Sequence, residues 1–318
     1  MDIDELQDKL RNLRVDRNQS RYTVGKAPHK AFLLLSLTIL DRHGKVDLDD
    51  LRPDIYLKQT WDDLWSVLDY PQPGSITQPL FHMRSDGFWN LQFSRPYTRT
   101  SSLKAFQEQL ERASLDEGFQ DILKDQDARN QVINTLLQEG GYFSPDESQR
   151  LRERLEELDD SFVYEERLVD ELKKEFQMSW DVDLVAAKSV PMAAKRDPAF
   201  RRLVLNAYEE TCAVCGMRIA TSSGVTVIDA AHILPFNRFH NDDVRNGLSL
   251  CKTHHWLFDR GLLSADESYR ILVSDDVEQD WPRGVVRSHH RKKLLLPQCP
   301  EEHPSELAMR WHSENVFR

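Results

Sequence analysis

Cysteine is scarce in this chain: four in 318 residues, Cys212, Cys215, Cys251 and Cys299. That is too few and too clustered for a disulfide framework. Long apolar runs are missing too. The longest candidate, Ala31 to Leu40, carries Ser36 and Thr38 and stops at Asp41-Arg42, short of the ~18 apolar residues that mark a membrane helix. The opening MDIDELQDKL is acidic and amphipathic, without the basic stub and apolar stretch of a signal peptide. Internal repeats are also lacking. A stapled secreted domain and a helical membrane protein are therefore excluded, and a cytoplasmic protein with no membrane partner is expected.

Positive charge is not in excess either. The net charge is −11, which at first argues against a nucleic-acid partner. The charge is unevenly spread, however. Residues 1–100 carry 14 basic and 14 acidic side chains, 101–194 carry 11 and 22, and 195–318 carry 17 and 17. The acidic excess lies wholly in the middle segment. Basic residues cluster at both ends: Lys9, Arg11, Arg14, Arg17, Arg21, Lys26 and Lys30, then Arg287, Arg291, Lys292 and Lys293. Local clusters set the field a phosphate backbone meets, so DNA stays open as a partner.

What is present is ordinary globular material, 40% hydrophobic and 30% charged, in a length that suits more than one domain. Ile3, Leu6, Leu10 and Leu13 predict an amphipathic helix over 1–20. A second helix is expected from Pro28 to Gly44 and a third over 55–70. The segment PLFHMRSDGFWNLQF reads as two short strands around Ser85-Asp86-Gly87. Residues 102 to about 188 read as acidic, Leu-rich helices. The expected fold class is α+β. Residues 1–190 form a mixed helix/strand domain with a helical connector from about 101, and 191–318 a second domain.

The second domain holds Cys212-Ala-Val-Cys215 and Cys251-Lys-Thr-His254. Two short chelating pairs on separate turns can close a tetrahedral Zn2+ site, since thiolate and imidazole are its preferred ligands. His255, next in sequence, is the alternative fourth ligand. Gly216 permits a tight turn after the first pair. Between the pairs, β-branched Val225 to Ile228 predicts a strand with His232 at or just past its end, and Gly247 to Leu250 a second strand. Lys252 to Arg260 should be helical, which sets His255 and Asp259 one turn apart on one face.

In order and type, Arg196 to Ser264 (RDPAFRRLVLNAYEETCAVCG, then DAAHILPF, then NGLSLCKTHHWLFDRGLLS) resembles the HNH, or ββα-metal (His-Me finger), endonuclease domain with a structural zinc. The resemblance implies that His232 is the general base, that Asn246 pins the loop carrying it, and that His255 and Asp259 hold a catalytic Mg2+ or Mn2+ ion. Where the family often has Asp or His directly before the base, this chain has Ala231. Strand alternation puts Asp229 on the same face, and Asp229 is the expected substitute, directly or through a water.

KAPHKAFLLLSLTIL and TQPLFHMRSDGFWNL, with DILKDQDARNQVINTLL after them, resemble the sulphur-recognising domain of type IV restriction enzymes that cleave phosphorothioate DNA. Sulphur in place of a phosphate oxygen is larger, more polarizable and less hydrated, so a reader needs apolar contact beside cations. His29, Lys30, Pro79, Phe81, His82, Arg84 and Trp89 are the expected substrate-binding residues. Burial of Phe81 and Trp89 in the core, and salt bridges at Lys30 and Arg84, are the competing assignments. The resulting expectation is a modification-dependent endonuclease acting on double-stranded, phosphorothioate-modified DNA, with a homodimer or two binding events needed for a double-strand break because one HNH centre cuts one strand. Its rivals are a nuclease reading methylated cytosine or no mark, a non-catalytic zinc DNA-binding protein, and a zinc-stabilised interaction module.

Overall fold

The computed structural model describes residues 1–16, 22–71, 75–138, 141–175, 198–221, 226–278 and 284–318. The chain divides into one unit of Met1–Asp160 with Thr221–Val225 and another of Ser161–Ala220 with Thr226–Arg318. The expected domain boundary at 190/191, and the basic residues Arg17 and Arg21, lie outside the described residues.

In the first unit, helix α1 (Ile3–Arg11) is capped by Asp2, which accepts from Glu5 N. It ends well short of residue 20. Helix α2 (His29–Arg42) starts after Pro28 and stops before Gly44, whose φ of 60° a side chain would strain. Every residue from Lys30 to Leu40 is buried, so α2 is the central helix of this unit, apolar all round. Its buried hydroxyls are satisfied locally: Ser36 donates to Phe32 O and Thr38 to Leu34 O, both at 2.8 Å. Helix α3 (Ile55–Ser66), capped by Asp54, packs against α2.

The strand expected over 79–84 is a helix instead. Helix α4 (Thr77–His82) runs into a 3-10 turn, Met83–Asp86, ended by Gly87 at φ 81°. Pro79 sits in the first turn of α4, where its missing N–H is no loss. Strand β1 (Trp89–Phe93) is where the sequence puts it, but its partner is β2 (Leu110–Leu115), an antiparallel pairing that includes Trp89 with Leu115. β2 interrupts a stretch expected to be helical. Its sequence, LERASL, favours helix locally, and burial of Leu110, Ala113 and Leu115 against β1 overrides that preference. Helices α5 (Leu103–Gln107), α6 (Glu117–Lys124) and α7 (Gln126–Leu136) follow, then the long α8 (Pro145–Glu175), which belongs to the first unit up to Asp160 and to the second from Ser161. No described helix is long and apolar enough to cross a membrane.

In the second unit, α9 (Pro198–Ala207) lies on an antiparallel pair, β3 (Ile228–His232) and β4 (Gly247–Cys251), in register from Ile228 with Cys251 to His232 with Gly247. The strand starts later than expected; Val225 lies outside the described residues. The short α10 (Phe236–Phe239) lies in the loop between the strands, and α11 (Lys252–Asp259) leaves β4 directly, giving a ββα unit. Gly247 is required by packing: a Cβ there would stand 2.2 Å from Val204 Cγ2 and 3.2 Å from the Phe200 ring. Strands β5 (Leu263–Ala265) and β6 (Ile271–Val273) and helix α12 (Glu306–Asn315) close the unit, with Trp311 edge-on to Phe239 at 5.0 Å. Mixed helices and small antiparallel sheets bear out the α+β expectation.

Candidate functional site

The two half-sites of the Cys/His set meet. Ligand atoms of Cys212, Cys215, Cys251 and His254 lie within 4.8 Å of one another. His254 Nδ1 is 3.4 Å from Cys212 Sγ and 3.2 Å from Cys251 Sγ, so His254, not its neighbour His255, completes the set. The first pair is a tight turn in which Gly216, at φ 71°, donates to Cys212 O. Ala213 N bonds Ser249 O at 2.7 Å, fastening that turn to β4. The Cys212 thiol is pushed down to about 3, first by Cys251 and then by His254, against its own burial. Cys251 is pushed up by the same contact. Three thiols and an imidazole at this spacing, with His254 buried and its Nδ1 turned to sulphur, fit a tetrahedral Zn2+.

His232 ends β3. Its ring stacks flat on Phe200, centroids 3.7 Å apart at 9°, and its Nε2 lies 2.9 Å from Asp242 Oδ1. Asn246, fully buried, binds both sides of the loop after His232. Its Oδ1 accepts from Leu234 N at 2.8 Å, and its Nδ2 donates to Leu234 O at 3.2 Å and Asn241 O at 2.9 Å. Asn246 therefore has a loop-pinning geometry. Asp242 and Phe200 were not foreseen from sequence. Asp242 sits in an irregular loop where no spacing rule marks it, and Phe200 looks like any apolar residue of an amphipathic helix.

On α11, His255 Nε2 is 3.5 Å from Asp259 Oδ2, the expected one-turn pairing. Asp229 Oδ2 stands 3.8 Å from the other nitrogen, Nδ1. The two carboxylates thus flank opposite sides of one imidazole and do not converge on a point. Among the described residues, only the Cys212 set gathers three or more metal-ligating atoms closely. Asp229 also pairs with Lys252, and Arg201 lies 3.7 Å away. His255 foremost, then Lys252 and Arg201, hold its carboxyl well below the usual carboxylate range.

In the first unit, a cavity of about 330 Å³ is lined by Arg14, His29, Lys30, Gln78, Pro79 and His82, among others. Four of the seven residues expected from sequence are thus brought together. Phe81 stacks on Tyr97 at 4.3 Å and carries the Arg84 guanidinium 3.9 Å above its ring; Trp89 is buried. These three do not line the cavity. Lys30 is buried and bonded to Asp86 at 2.5 Å, with Asp86 accepting from Arg14 N at 2.8 Å. Burial pushes the Lys30 ammonium down, opposed by Asp86. His82 is lowered by burial and by Lys30, Arg84 and Arg99, a sign of the positive potential around the cavity. His29 is ringed by Tyr22 and Trp65, at 5.9 and 4.8 Å. Gln78 is an addition that sequence reasoning missed, and Arg14 was named there only within the N-terminal basic cluster.

Two family models match separate stretches of the chain. Residues 212–266 match the HNH endonuclease model, and residues 59–158 match the ScoMcrA-like DNA sulfur-binding domain. Both resemblances read from the motifs are borne out. Among solved structures, the modification-dependent TagI restriction endonuclease is similar at 23% identity and a TM-score of 0.32, over 44% of this chain and 45% of that one. The chain thus spans less than half the length of that structure. No curated protein matches it.

Proposed function

We propose that this chain is a metal-dependent DNA endonuclease of the modification-dependent, type IV-like kind. The N-terminal unit reads phosphorothioate-modified duplex DNA, and the C-terminal unit hydrolyses phosphodiester bonds at a one-metal HNH site. The observation that carries the reading is a ββα unit placing His232 at a strand end and His255 with Asp259 on the following helix, within the segment that matches the HNH model.

In this reading His232 takes a proton from the attacking water, and Asn246 fixes the loop that aims the imidazole. A Mg2+ or Mn2+ ion, when bound, would polarise a phosphoryl oxygen and stabilise the leaving 3′-oxygen. His255 and Asp259 would hold it. Asp229, on the opposite ring nitrogen, helps indirectly by orienting His255, as carboxylates commonly do behind metal-bound histidines. Cys212, Cys215, Cys251 and His254 would hold a structural Zn2+. Lys252 and Trp256 of α11 and its C-cap Arg260 follow one another at four-residue intervals, with Trp256 56% exposed and the Arg260 guanidinium 5.9 Å from its ring. That row of cation, aromatic and cation suits a phosphate backbone.

For the reader, Pro79, the His29 ring and the Lys30 stem supply apolar contact to sulphur. Arg14 and His82 face the remaining phosphate charge. Lys30 contributes little net charge because Asp86 neutralises it. Phosphorothioate is thus favoured by the mixture of apolar wall and cationic rim. One site cuts one strand, so a double-strand break needs a homodimer or two encounters. A chain with this task works in the cytoplasm.

The test pairs two assays. Wild type should nick phosphorothioate-modified supercoiled plasmid only with Mg2+ or Mn2+, and His232→Ala should not. In competition for the chain, a phosphorothioate duplex should beat its phosphate and methylcytosine counterparts. Equal competition removes the sulphur reader and keeps the nuclease. Zinc binding without any metal-dependent nicking overturns the nuclease in favour of a zinc DNA-binding protein.

A further inference from the structure

The geometry points to Asp242 as a positioning residue that fixes the tautomer and aim of His232, with Tyr164 of α8 holding the carboxylate in turn. The inference rests on His232 being the base.

Asp242 is a carboxylate with its side chain 4% exposed, placed 2.9 Å from His232 Nε2. Its other oxygen, Oδ2, accepts from Tyr164 Oη at 3.3 Å. A buried carboxylate can only accept, so the ring must present N–H at Nε2. The lone pair is then at Nδ1, to which no described residue is hydrogen-bonded. Two other contacts stop the ring from escaping this arrangement. Phe200 lies flat against one face, and Asn246 binds the carbonyl of Asn241, the residue next to Asp242. The loop pin thereby holds the orienting carboxylate as well as the segment that follows the base.

Chemically, the water proton passes to Nδ1 and the water oxygen forms a bond to phosphorus. The phosphorus–O3′ bond breaks, and its electron pair leaves on O3′. The imidazolium so formed is stabilised by Asp242, which keeps its charge and takes no proton. An uncharged replacement would lose that stabilisation and would also offer an amide N–H to Nε2, favouring the tautomer whose Nδ1 has no lone pair.

The test uses the full chain loaded with zinc and supplied with Mg2+. Asp242→Asn should lower the nicking kcat by ~100-fold or more while DNA affinity and zinc content stay at wild-type values. Tyr164→Phe should cost about threefold, the scale of one net hydrogen bond. Nitrogen-15 shifts of the His232 ring, read on the wild type, should report the Nε2–H tautomer, and Asp242→Asn should convert it. Wild-type kcat in a folded Asp242→Asn, or an Nδ1–H tautomer in the wild type, overturns the proposal; the second readout holds even if the variant misfolds. Retained nicking in His232→Ala instead removes the base itself, and so separates failure of the nuclease reading from failure of the dyad.

Discussion

The two candidate sites are built in opposite ways. In the C-terminal unit, the side chains sit on consecutive short elements: a turn, a strand, a loop, a second strand and a helix. Their spacing is set by regular geometry. In the N-terminal unit, the cavity collects residues from three separate segments, the stretch after α1, the start of α2, and α4 with its 3-10 extension. Chemistry that depends on fixed ligand angles is written in local motifs. Recognition by a cavity depends on long-range packing instead.

Metal removal should break this contrast most visibly. Structural zinc sites carry folding free energy on the order of 10 kcal/mol in small domains. Cys251→Ser, or a strong chelator, should therefore unfold the C-terminal unit, while amide protection in α2 and β1 persists and the phosphorothioate duplex still binds. Loss of protection in both units together would show that they are not separately stable.

Next in size is the buried pair in the reader. Asp86→Ala leaves Lys30 charged with only a long bond to Ser85 Oγ, 3.4 Å away, and should destabilise the N-terminal unit by about 3–5 kcal/mol in urea unfolding. Lys30→Met leaves Asp86 with only its backbone donor, so it should cost less, and the double replacement Lys30→Met with Asp86→Leu should recover most of the loss. If both singles cost nothing, the pair is no part of the cavity's framework.

Much of the nuclease site was legible because each piece is short-range. Cys212 with Cys215, and Cys251 with His254, are single turns, and His255 with Asp259 is one helical turn. Asp242 was not legible, since nine residues, α10 among them, separate it from His232 and only the folded connection makes them partners. In the first unit, His29, Lys30, Pro79 and His82 line the cavity, whereas Phe81, Arg84 and Trp89 do not. For Phe81 and Arg84 the reason is physical: α4 and its 3-10 extension are helical, so their side chains fan out at helical intervals instead of alternating across a strand. β2 stayed hidden because partners distant in sequence, β1 on one side and the backbone of Leu48 and Leu51 on the other, make LERASL extended.

A smaller effect should sharpen the contrast from the nuclease side. His312 is buried, stacked on Phe258 at 3.8 Å and bonded to Ser264, and burial pushes its pKa down to about 4. The unfolded chain takes up this proton near pH 6.5 and the folded unit only near 4, so unfolding binds a proton in that window. Stability should fall as pH drops through it, by about 2 kcal/mol at pH 5. Urea unfolding with excess zinc at pH 7 and 5 should show that dependence in wild type and lose this share of it in His312→Gln. Identical pH dependence in both would contradict the assignment.

The most direct measurement mixes two supercoiled plasmids of different size in one tube with wild-type protein and Mg2+, one phosphorothioate-modified and the other not, and follows both on a single gel. The account predicts that the modified plasmid is cut first and that His232→Ala cuts neither. Equal cutting of the two plasmids would contradict the division of labour between reader and nuclease.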